Sequence, residues 1–124
     1  VGDGNRYGKV EVLNTSASSA GYWEAEYYDA NANDAGLDTS QYASPLQGVS
    51  GNEYWRVQGP EATSSADVKI RWDNQSGLGA ATSDRAANLH IAEWVSTQWE
   101  SVGDNVTDNR PNDGTVQTNA AVSL

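Results

Sequence analysis

Apolar residues recur at every second position over most of this chain. In 7–13, Val10 and Val12 alternate with Lys9 and Glu11, the period of a half-buried strand. In 20–28, Trp23, Ala25 and Tyr27 share one face, while Glu24 and Glu26 face water. In 51–58, Glu53, Trp55 and Val57 oppose Tyr54, Arg56 and Gln58. Residues 67–73 alternate charged and apolar positions without a break. Residues 88–94 carry Leu89 and Ile91 and lead through a short polar turn into 98–103, while 115–118 and 120–124 read as two short final strands. Clusters of Gly, Asn, Asp and Ser separate these runs.

The pattern predicts seven or eight short strands, with at most one helical turn in 83–92. It predicts an all-β fold, an antiparallel β-sandwich of the Ig-like or jelly-roll-like kind, with a closed barrel as the alternative. Residues 1–124 are expected to form one domain, a module or fragment of a longer protein. Strands 7–13 and 20–28 are expected to pair as a hairpin. The expected core is Val10, Val12, Trp23, Ala25, Tyr27, Trp55, Val57, Val68, Ile70, Trp72, Leu89, Ile91 and Val116. Asp29–Gly51 is a long irregular connection, expected to be functional or pinned down, with Leu37, Tyr42 and Leu46 as pins. Residues 73–87 and 104–114 read as two further polar loops.

Composition narrows the function. The chain has 124 residues, a formal net charge of -10 and only 7 Lys and Arg. That argues against a phosphate-backbone partner and an anionic membrane surface. No apolar run approaches the ~18 residues of a bilayer span, so membrane insertion is not expected. Residues 1–5 read as a loop and not as a signal peptide. Cys, Phe and Met are absent, while Trp is 5 and Tyr 6. Disulfides and thiolate chemistry are excluded, and aromatic burial falls to rings with polar atoms that need partners. Acidity with abundant Asn, Ser, Thr and Gly suits a secreted or cell-surface protein.

The sequence offers residues for three kinds of chemistry. Asp29, Asn31, Asn33, Asp34 and Asp38 place side-chain oxygens at calcium-loop spacing. The match is partial, because Asp34 stands where the turn needs Gly and Ser40 where a Glu would close the site. The plainer reading is that these residues form turns. Tyr22, Tyr28, Tyr54 and Arg56 fall on outward faces and are candidate contacts for a sugar or a protein. Catalysis is the weakest reading. The single His90 should point to solvent, and outward Glu24, Glu26, Glu93 and Glu100 usually form a solvated face.

The order of strand motifs carries a resemblance. It runs through Asn-Glu-Tyr-Trp-Arg-Val at 52–57, Asp-Val-Lys-Ile-Arg-Trp-Asp at 67–73 and Leu-His-Ile-Ala-Glu-Trp at 89–94. Trp-Glu-Ser-Val-Gly at 99–103 and Asp-Gly-Thr-Val-Gln-Thr at 113–118 complete it. Over roughly residues 2–120 the chain resembles a β-sandwich module of long secreted, surface-attached, adhesin-like proteins of gliding and marine Bacteroidetes-type bacteria. The chain departs from the Trp-x-Gly turn of that pattern, carrying Val95-Ser96-Thr97-Gln98 instead. The resemblance implies a structural or adhesive, non-catalytic module. Its partners would be neighbouring modules of the same type or cell-surface components, with glycans as an alternative.

Overall fold

A computed structural model of the chain describes residues 2–3, 6–78, 88–109 and 112–124. Its strands are β1 Gly2–Asp3, β2 Arg6–Tyr7, β3 Val10–Ser16, β4 Glu24–Tyr28, β5 Tyr54–Gln58 and β6 Ser65–Asp73. β7 Ile91–Val95, β8 Gln98–Gly103, β9 Asn105–Asn109, β10 Asp113–Gln117 and β11 Val122–Ser123 follow. A 3₁₀ turn at Ala32–Ala35 lies between β4 and β5. The fold is all-β with antiparallel strand pairs, as the alternation predicts. Of the helix-tolerant stretch, residues 83–87 lie outside the described residues, and Ile91 already belongs to β7.

β6 organises the larger sheet because it is the longest strand and has one apolar face. Ala66, Val68 and Trp72 are buried, while Asp67, Lys69 and Arg71 between them are only partly covered. β3 pairs along one edge, setting Val10 against Ile70 and Val12 against Val68. β10 pairs along the other, setting Val116 against Ile70, and β9 flanks β10. β11 continues the line of β10, with Val122 opposite Ala66. The break between them is bridged by Thr118, whose backbone N–H donates to the Val68 carbonyl at 2.9 Å. The Thr118 Oγ1 accepts from the Val68 N–H at 3.1 Å.

Against this sheet lie two hairpin-like pairs. β4 and β5 match Ala25 with Val57 and Tyr27 with Trp55. β7 and β8 match Trp94 with Trp99. Val57, Leu89 and Val102 pack on the buried cluster of Val68, Ile91 and Val116, which joins the layers. The long connection is pinned through its backbone. Trp99 N–H donates to the Gln41 carbonyl and Ala43 N–H to the Trp99 carbonyl, both at 2.9 Å. Tyr42 itself is exposed, while Leu37 and Leu46 are half-buried.

Two expectations are corrected. The expected hairpin of 7–13 with 20–28 does not form: β3 pairs with β6 and β4 with β5. Alternation fixes which face a strand buries but not which strand lies beside it. The polar stretch 104–114 is not wholly a loop, for it contains β9 and the start of β10. β9 is recruited by ladder bonds to β10 and by the hydroxyls of Thr107 and Thr115 at 2.6 Å, with Val106 its sole large apolar residue.

Candidate functional site

Between the layers lies an open cavity of about 820 Å³. Its floor takes every second residue of β6, namely Val68, Ile70 and Trp72. Its walls are different. From β5 they take Tyr54, Trp55, Arg56 and Val57, and from β7 Ile91, Ala92, Glu93 and Trp94. Neighbouring residues of a strand point to opposite faces. A cavity that meets four in succession is therefore bordered by the edge of that strand. By contrast β4 contributes only Tyr28, and β8 only Trp99 and Val102. Among the described residues β5 pairs only with β4 and β7 only with β8, so each has one edge without a ladder partner. The cavity is a slot in the second layer, floored by the apolar face of the first.

Magnitudes decide how such a slot can exist. A dry void of 820 Å³ would cost about 20 kcal/mol at about 24 cal/mol per Å³. The whole stability of a domain is only about 5–15 kcal/mol. The slot must hold water or a guest, and release of water from its largely apolar lining favours a guest. Burial agrees: Val57, Ile70, Leu89 and Val102 are only partly covered although they face the interior. Trp99 is 8% exposed, and its indole N–H finds no acceptor among the described residues; the same holds for the Trp55 indole. Trp94 packs edge-on to Trp99, with ring centroids 5.6 Å apart.

Glu93 and Glu53 are the acidic residues that line the slot among the described residues, and Glu53 is held by Arg6 at 2.9 Å. Glu93 stands directly opposite Glu100 across β7 and β8, and Gln98 Nε2 donates to Glu100 Oε1 at 3.1 Å. Burial, and then the Glu100 charge, push the Glu93 carboxyl above its ordinary range. A carboxyl raised on folding binds more protons folded than unfolded. Its contribution is present at low pH and is lost as pH rises from about 4 toward the raised value. Glu93→Gln is therefore expected to raise the melting temperature at neutral pH. That gain should vanish below about pH 4; thermal melts across this range check it.

The sequence-predicted ligand contacts are partly brought together. Tyr28 and Tyr54 stack at 4.6 Å with their planes 7° apart. Beside them Arg56 Nη1 lies 3.4 Å from Glu26 Oε2, and Tyr28 Oη donates to the same oxygen at 2.8 Å. Tyr22 precedes β4 and is 90% exposed, so it stands apart from this strip. The stacked pair covers one face of each ring, which leaves it a weaker platform for a sugar than two free rings.

The five oxygen residues of 29–38 serve local geometry and an ion pair. Asn31 Oδ1 accepts from the Asn33 N–H at 2.9 Å and caps the 3₁₀ turn, inside which Asp34 sits. Asn33 Oδ1 accepts from the Thr39 N–H at 2.7 Å. Asp38 Oδ1 accepts from the Ser40 N–H and hydroxyl. Asp29 Oδ1 is 2.9 Å from Arg6 Nη1. Among the described residues no three His, Cys, Asp or Glu side chains are grouped to hold a metal ion. With the oxygens of Asp29, Asn31, Asn33 and Asp38 so used, melting temperatures should coincide in excess calcium and excess chelator. A clear rise in calcium would make the loop an ion site.

His90 is half-buried and not turned to solvent as expected: its Nδ1 lies 2.8 Å from Ser101 Oγ, because β8 lies beside it. Sequence reasoning also missed a partly buried ionic cluster. The Arg6 guanidinium meets Asp29, Glu53 and Asp73 at 2.9, 2.9 and 3.0 Å. Tyr27 Oη donates to Glu53 Oε2 at 2.8 Å. Burial and that hydrogen bond push the Tyr27 phenol up, so it stays neutral as a donor. The signal in the sequence was Glu53 on the inward face beside Trp55 and Val57, where a carboxylate needs a partner.

No protein-family model matches the chain, and neither the curated proteins nor the solved structures contain a match. No helix of the described residues is long and apolar enough to cross a membrane.

Proposed function

We propose that this chain is a non-catalytic adhesive module of a secreted or surface-attached protein. It acts by holding a partner in the slot between β5 and β7. The observation that carries this reading is the slot itself: about 820 Å³ of largely apolar space, within the range of about 300–1,000 Å³ usual for binding sites. A passive spacer would fill its interior with its own side chains. The acidic surface and the likeness of the strand motifs to Bacteroidetes-type surface modules support the location. Acidity also keeps neighbouring modules soluble and apart.

The test is binding by the intact module and by Val57→Trp, which places an indole in the slot. Both are applied to arrays of glycans and of extended peptides, with circular dichroism to show that the variant keeps its strands. Retention of glycans or peptides that Val57→Trp loses is the expected result. Silence on both arrays would contradict the reading, and binding that the variant keeps would move the site elsewhere, the Tyr28–Tyr54 strip first.

A further inference from the structure

The slot has the length and polarity suited to a short extended strand. Its two walls are strand edges, whose amides and carbonyls lie in the plane of the sheet. Four residues of β5 and four of β7 border it, a length of about 13 Å. The floor residues Val68, Ile70 and Trp72 are spaced two apart, which is the spacing of inward side chains on any strand laid above them. Buried backbone groups need partners, and a small apolar molecule would satisfy none of those along β5 and β7.

Charge chooses among strands. The chain carries -10, so a second copy is repelled on approach. Glu93 lines the slot and is held against Glu100, an arrangement a cation would relieve.

Resting on the proposed function, we infer that the slot binds an extended peptide segment of another protein. That segment is apolar at every second residue and carries a lysine or arginine beside Glu93. It inserts between β5 and β7 and completes the second sheet by β-augmentation. Backbone bonds supply the general affinity, the apolar positions fill the space over β6, and the Glu93 contact sets register.

The experiment titrates the intact chain with a short synthetic peptide of alternating valine and lysine, read by tryptophan fluorescence and calorimetry. A scrambled peptide of the same composition, and one with a central proline, are run beside it. Saturation at one peptide per chain is expected, with binding absent for both controls. Glu93→Gln should weaken binding by at least about tenfold, as should raised salt, while Glu93→Asp retains most of it. Equal binding of the scrambled peptide would overturn strand insertion. So would binding of Nile red or of an arrayed glycan without any peptide binding, which leaves the recognition reading intact. Concentration-dependent dimers that disappear in Val57→Trp would name a second copy as the occupant and overturn the proposal. A slot that binds none of these overturns both readings.

Discussion

Arg6→Met is expected to remove about 3–5 kcal/mol of stability, the usual result of breaking a buried ion pair from one side. The side chains of Arg6 and Glu53 are only 10% and 5% exposed. Without the guanidinium, Glu53 keeps a charge in a site screened by little water, and Asp29 and Asp73 lose their common partner. Against a total of about 5–15 kcal/mol, such a loss brings the fold near its limit. Glu53→Gln should do less harm, because Arg6 keeps two carboxylates and the new amide oxygen can still accept from Tyr27. The double variant Arg6→Met, Glu53→Gln should be more stable than Arg6→Met alone. Urea unfolding of the three variants at neutral pH checks the order. Equal stability of Arg6→Met and the parent would mean that the cluster is solvated and dispensable.

Gly103→Ala is expected to destabilise by about 3 kcal/mol, at the upper end of overpacking. Gly103 ends β8 where the chain crosses to the larger sheet and starts β9 after one residue. A Cβ there would lie 2.4 Å from both the Gln117 carbonyl oxygen and Thr118 Cα, and 2.8 Å from Asn119 N. These are backbone atoms of the segment that joins β10 to β11, tied back by the Asn119 N–H to Val102 carbonyl bond at 3.1 Å. They cannot yield without opening that bond. Gly48→Ala is the control, since a Cβ there meets nothing within 4 Å. Its effect should stay within about 0.5 kcal/mol. Similar melting temperatures for the two variants would show that the crossing is loose.

The strand periods alone foretold the apolar face of β6, the two faces of β4 and β5, and the turn between β7 and β8. Each depends on nothing beyond local alternation. What failed depends on contacts distant in sequence. β9 carries one large apolar residue, Val106, and is a strand because β10 offers it an edge. The partners of β3 and β4 were misjudged because adjacency in sequence is a poor guide when the chain crosses between layers. The site was legible only in part. Of the expected core residues Trp55, Val57 and Ile91, only Ile91 is buried, while Trp55 and Val57 are partly covered; that they border a gap follows from β5 and β7 having no ladder between them, which no residue type announces. Arg6 gave no local sign of its role, although the inward Glu53 required some such cation.

Amide hydrogen exchange of the free chain, resolved residue by residue, tests the slot most directly. If β5 and β7 border an open gap, the slot-facing amides among 54–57 and 91–94 exchange quickly. Those of 66–72, bonded on both sides, should then be protected by nearly the full unfolding free energy. The alternating valine–lysine peptide should slow the first set and leave the second unchanged. Protection of 54–57 and 91–94 equal to that of 66–72 in the free chain would mean that the two edges are already joined, and the slot would not exist.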